Sequence, residues 1–161
     1  MTGPAEKDEL RIVPGESIGP FRVGEAIEPQ LALLTGDVAV EERGDTRVFT
    51  TRDVSLFVEA GLVTQIGIHE EHPGATSEGL RLGMTLGEVE GELLLDPFNE
   101  VLLFAGVDGL CFSTGQALEP VAEAALNEAA PAVLSRADRI EWIGVHLREF
   151  DSPEAVPVTL E

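Results

Sequence analysis

The stretch EGLRLGMTLGEVEGELL, residues 78–94, decides how the rest of the chain is read. Thr85 is a good N-cap residue. Glu88, three positions on, completes a T-x-x-E capping box, in which each side chain satisfies a backbone donor that a helix start leaves unpaired. Leu86, Val89 and Leu93 then fall on one helical face, with Glu88, Glu90 and Glu92 elsewhere on the circumference. The spacing predicts an amphipathic helix entered through Gly83. Gly87 and Gly91 inside it each cost roughly 1 kcal/mol of helix propensity relative to alanine. Such a helix is expected to be held by packing its stripe onto something flat, a sheet.

Upstream, residues 18–36 (IGPFRVGEAIEPQLALLTG) carry the same pattern. Ile27, Leu31 and Leu34 make a helical stripe, Pro29 fits a first turn and Gly36 a C-cap. Aligning Gly24 on Gly83 places Phe21 on Leu80, Arg22 on Arg81, Val23 on Leu82 and Ile27 on Leu86. Each predicted helix is followed by short β-rich runs. In the first half these are 38–42, 46–50, 54–59 and 62–69, separated by Arg43-Gly44-Asp45, Thr51-Arg52-Asp53 and Ala60-Gly61; in the second they are 101–104, 110–113 and 140–150. Connections that short make neighbouring strands antiparallel. The run Ile66-Gly67-Ile68-His69 recurs as Ile143-Gly144-Val145-His146, at a longer shift. The excess is what an Ala-rich helix at 120–130, opened by Pro120 and closed by Pro131, would occupy.

These patterns predict an α+β protein of two tandem helix-plus-antiparallel-sheet units with helices packed on one sheet face. The expected divisions are a disordered N-terminus at 1–11, a first repeat at 12–71, a second at 79–150 that includes the inserted helix, and an acidic C-terminal tail at 151–161.

Thirty Asp and Glu against ten Lys and Arg give a formal net charge of −20. Nucleic acid and anionic membrane are therefore excluded as partners of the molecule as a whole, and a basic protein would be drawn in. The same acidity also serves solubility. Cys111 is the only cysteine, which rules out an intramolecular disulfide, and its position between Leu110 and Phe112 reads as a small buried hydrophobe. The first fifteen residues, MTGPAEKDELRIVPG, have no basic segment followed by an apolar one, and no apolar run approaches about 18 residues. The expectation is a cytoplasmic protein.

Gly83-Met84-Thr85-Leu86-Gly87-Glu88-Val89, with the degenerate copy Gly24-Glu25-Ala26-Ile27, resembles the β-lactamase inhibitory protein family, and the same motif occurs in small lipoproteins of outer-membrane β-barrel assembly. The resemblance implies tandem helix-plus-sheet repeats and a habit of binding proteins on a concave sheet. The chain departs from the inhibitor family in having no tyrosine, one tryptophan and one cysteine, and from the lipoproteins in lacking a lipidated N-terminal cysteine. β-Lactamase is thus not implied as a target.

His69, Glu70, Glu71 and His72 are the one cluster of metal-ligand types, but their spacing matches no closed site and His72 precedes Pro73-Gly74, so no metal is expected. Pairs such as Glu41 and Glu42 stand in no apolar setting that would drive two pKa values apart. There is no G-x-S-x-G, P-loop or G-x-G-x-x-G. The reading is therefore a non-enzyme without cofactors: an acidic protein-binding inhibitor, most concretely an immunity-type protein neutralising a basic toxin, or else a structural or assembly module. Strand alternation turns Trp142, His146 and Arg148 away from Ile143 and Val145, and by the repeat alignment Gln65 and His69 join them. These five residues are the expected partner-binding face. The competing reading packs Trp142 under the inserted helix or the tail.

Overall fold

The computed structural model describes residues 11–70, 72–115, 117–147 and 155–161. The chain begins with three short strands, β1 (Arg11–Val13), β2 (Ser17–Ile18) and β3 (Phe21–Arg22), then a five-residue helix α1 (Ile27–Leu31). An antiparallel meander follows: β4 (Ala39–Arg43), β5 (Thr46–Thr50), β6 (Val54–Glu59) and β7 (Leu62–His69). After β8 (Ala75–Thr76) come a single 3-10 turn at Leu86–Glu88, then β9 (Leu93–Asp96), β10 (Val101–Phe104) and β11 (Leu110–Thr114). Helix α2 (Glu119–Asn127), β12 (Ala132–Leu134), β13 (Ile140–His146) and β14 (Val156–Leu160) complete the described residues.

Ten strands form one sheet in the order β12-β14-β9-β10-β11-β13-β7-β6-β5-β4, and β3-β2-β1-β8 form a small second sheet. This overturns the predicted fold class. The protein is mostly β, and a single sheet runs through both halves in place of two helix-plus-sheet units with helices on one face. The predicted helix over residues 85–94 shows why. Its box forms, with the Glu88 carboxylate accepting from the Thr85 N–H at 3.2 Å and from the Thr85 hydroxyl at 2.9 Å. One turn later Val89 is already extended, at φ −78° and ψ 130°, and Gly91 stands at φ +115°. Leu93, Leu94 and Leu95 then pair with Phe104, Leu103 and Leu102. A glycine-weakened helix loses to a ladder that buries two of those leucines, Leu93 and Leu95. Likewise the first helix stops at Leu31, although Leu34 still packs on the core.

Directly opposed residues share a sheet face, so the registers assign the core side. Leu56 opposes Ile66, Ile66 opposes Val145, Val145 opposes Leu110, and Leu102 opposes Phe112. All of these are buried. Ile12, Ile18 and Phe21 of the small sheet, together with Leu80, Leu86 and Leu118, close over them into one core. The expected docking stripes join it, with Ile27, Leu86 and Leu93 buried and Leu31, Leu34 and Val89 packed at its margin. No helix of the described residues is long and apolar enough to cross a membrane.

What recurs between the halves is backbone pairing. Gly24 N–H donates to the Val63 carbonyl at 2.7 Å, and Gly83 N–H to the Ile140 carbonyl at 2.8 Å. Ile27 N–H donates to Gly61, and Leu86 N–H to Asp138. Both glycines sit at positive φ, +81° and +88°, where a side chain would be strained. The ladder of β6 with β7 shifts register at Thr64, and that of β11 with β13 at Glu141, the corresponding position. In a core so closely packed, Leu93→Ala is expected to lower stability by about 2–5 kcal/mol. By contrast, Leu33→Ala, at an exposed position, should change it by no more than about 0.5 kcal/mol. Denaturant titration of the two variants checks this.

Candidate functional site

β7 and β13 pair antiparallel at the centre of the large sheet, with Trp142 opposite His69, Gly144 opposite Gly67 and His146 opposite Gln65. Since Ile66, Ile68, Ile143 and Val145 face the core, these six residues face the other way. Four of the five expected partner-binding residues are thus on one face; Arg148 lies outside the described residues. The four do not form a single patch. Trp142 and His69 stand at one end of the Gly67–Gly144 pair, and Gln65 and His146 at the other.

The Trp142 indole lies flat across both glycines. A Cβ on Gly67 would stand 2.5 Å from Nε1, and one on Gly144 would fall onto the Cη2 edge of the ring. Glycine is required at both places because the ring occupies the space of a side chain. Trp142 is consequently half-buried against the sheet backbone, and neither α2 nor the C-terminal strand is needed to shelter it. Next to it, His69 Nε2 lies 3.1 Å from Ser55 Oγ, which donates to Thr50 Oγ1 at 3.3 Å. Among the described residues no carboxylate is hydrogen-bonded to His69.

At the Gln65–His146 end, His146 is buried and Gln65 half-buried. A groove of about 570 Å3 runs over it, walled by Phe57 and Glu59 on one side and by Asp96, Asn99 and Leu103 on the other, with Cys111 in the floor. β6 and β10 stand four steps apart in the sheet. They wall a common groove because the sheet curls, which makes this face concave. The buried Asp96 carboxylate accepts from the Phe98 and Asn99 N–H groups at 3.0 and 3.2 Å and from Asn99 Nδ2 at 2.7 Å. It holds the β9–β10 turn in shape at the groove wall. Cys111 was expected as a buried hydrophobe and is buried, but on the groove side, because its neighbours Leu110 and Phe112 take the core side. Alternation along β11 carries that signal; nothing in the local sequence marks Asp96 or Asn99 as its neighbours.

Of the His69–His72 cluster, only His69, Glu70 and His72 are among the described residues. Among the described residues no group of three or more His, Cys, Asp or Glu is placed to hold a metal ion, and Glu71 lies outside them. His72 Nδ1 instead accepts from the Gly74 N–H at 3.0 Å. Burial lowers the pKa of His72 below its ordinary 6.5, opposed by Asp53 and assisted by His69.

No family model matches the chain, and no curated protein matches it. Among solved structures it is similar to the uncharacterized protein YfeY from Escherichia coli, at 10% identity and a TM-score of 0.53, over 83% of this chain and 98% of that one. At that identity the likeness is one of fold.

Two outcomes follow from these contacts. Gly144→Ala must push the indole off the sheet, with an expected loss of about 1–3 kcal/mol and a red shift of the Trp142 emission. The double variant with Trp142→Ala should lose clearly less than the two single losses added together; additive losses would mean that ring and glycine do not touch. For His72, a folded-state pKa below the unfolded value means that the unfolded chain takes up the proton first. The stability linked to neutral His72 is therefore full above pH 6.5 and is lost as the pH falls below it. His72→Gln should narrow the difference in melting temperature between about pH 5 and about pH 7.5, read by circular dichroism.

Proposed function

We propose that this protein acts by binding another protein on the concave face of its large sheet, and that it does so as a cytoplasmic, non-catalytic inhibitor of a basic partner. The observation that carries this reading is the groove beside Gln65 and His146, a shaped depression on the one sheet face that no other layer of the described fold covers. Phe57 and Leu103 offer apolar contact there, while Gln65, Asn99 and Glu59 offer directed hydrogen bonds. That mixture is the usual make-up of a protein-binding surface. Trp142, half-buried at the adjoining end, adds a rigid aromatic platform of the kind over-represented among binding hot spots.

Asp96 is engaged by its own turn, and among the described residues no carboxylate is hydrogen-bonded to the Ser55–His69 pair. The net charge of −20 supports a basic partner, drawn in by long-range attraction. Neutralisation of a basic toxin, the immunity-type role, is the concrete form this takes.

A photo-crosslinking side chain at Gln65, introduced in the source cells, is expected to trap a basic protein that the same probe at Leu33 does not. Association of that protein with the purified chain should slow by at least about tenfold between low and high ionic strength. Equal crosslinking from Leu33 would remove the concave face as the docking surface, and a rate flat in salt would remove charge as the means of recognition.

A further inference from the structure

The acidity of the chain has its own focus on the opposite side of the sheet from the groove. A cleft of about 550 Å3 lies between the 78–92 segment and the turn that follows β10. Its apolar wall is made of Leu80, Met84, Val89, Phe104 and Leu110. Leu80 and Leu110 are fixed in the core, whereas Met84, Val89 and Phe104 remain half-exposed towards the opening. The Phe104 ring packs against Phe112, their centroids 4.9 Å apart.

Glu78, Glu88, Glu90 and Glu92 stand around this apolar wall, and no cation is among the residues that line the cleft. Among the described residues Glu78, Glu90 and Glu92 take part in no ion pair. The Glu88 carboxyl is held below the usual range by its hydrogen bonds from the Thr85 N–H and hydroxyl and, to a lesser extent, by the charges of Arg81 and Arg139. A ligand that enters must satisfy two demands together. It needs apolar surface for Met84, Val89 and Phe104, and positive charge at its margins for the carboxylates. An anion is repelled, and a purely polar cation leaves the apolar wall exposed to water. An aromatic face also receives a cation favourably at close range.

We propose that this cleft is a binding site for a basic, amphipathic segment of a partner protein, in which an apolar side chain enters between Val89 and Phe104 and flanking Lys or Arg side chains pair with Glu78, Glu90 and Glu92. Three of the four carboxylates belong to one five-residue run, 88–92. Charges so spread meet several cations of one chain better than a single compact one. The site is separate from the concave face, and neither reading depends on the other.

The test uses the whole chain and the N-acetylated peptide amides Arg-Leu-Arg, Glu-Leu-Glu and Arg-Ser-Arg, followed by the methyl resonances of Met84 and Val89. Arg-Leu-Arg is expected to shift those methyls saturably, with an affinity at least about tenfold above that of the other two. The surface double variant Glu90→Gln, Glu92→Gln leaves Thr85 and Glu88 intact. With an unchanged melting temperature, it should lose about tenfold of that affinity. Equal binding of Glu-Leu-Glu, indifference to the double variant, or shifts confined to the Gln65 and His146 side would each overturn the proposal. Butylguanidinium serves as a further probe: if it binds as tightly as Arg-Leu-Arg, the cleft takes a small amphiphilic cation and the partner segment is refuted.

Discussion

The ladder between β7 and β13 is the constraint from which both sides of the molecule follow. It joins two meanders into one sheet through Gly67 and Gly144, which face each other at its centre. Because side chains alternate along a strand, a slip of one residue here would send Ile66, Ile68, Ile143 and Val145 into water and bring His69 and Trp142 into the core. The glycine pair removes the side chains that would otherwise keep the indole off the backbone, so the tryptophan lies over the junction it helps to define. Register, core and outer face are thus one decision made at one pair of residues.

The strands of that decision were legible in the sequence because they carry their own signals. Alternating apolar residues between Arg43-Gly44-Asp45, Thr51-Arg52-Asp53 and Ala60-Gly61 allow few structures other than a meander. The shared face of Gln65, His69, Trp142 and His146 follows from the same period of two. Elements whose identity depends on distant partners were not legible. β9 reads as helix until Phe104 and Leu102 are known to lie alongside it, and β14 reads as tail until β9 and β12 are in place. The strands β2, β3 and β8 of the small sheet, two residues each, have no periodicity to detect. Groove residues such as Phe57, Leu103 and Asp96 are brought together only by the curl of the sheet, which no local pattern encodes.

The small sheet is tied to the outer face at the Gly109 carbonyl. The Gly109 oxygen accepts the Gly15 N–H and the His146 N–H, each at 3.0 Å. One acceptor therefore positions both the loop after β1 and the strand end that bears a groove residue. The tie requires the two backbones to touch, and a Cβ on Gly109 would run into Gly15. Packing on the core side and the placement of His146 are in this way mechanically linked, although they lie on opposite faces of the sheet.

The correspondence that carries Gln65 onto Trp142 and His69 onto His146 makes the Gly67–Gly144 pair a local pseudo-two-fold axis. An assembly of two identical chains about such an axis would have to place the same residue at both ends, two indoles competing for one pair of glycines or two open grooves. Joining both halves in a single polypeptide lifts that restriction. Here one end is filled by a tryptophan and the other carries a glutamine in its place beside the groove, so a nearly symmetric scaffold presents one asymmetric surface. Directionality, the ability to receive a partner in one orientation only, is available to the fused chain and denied to the symmetric pair.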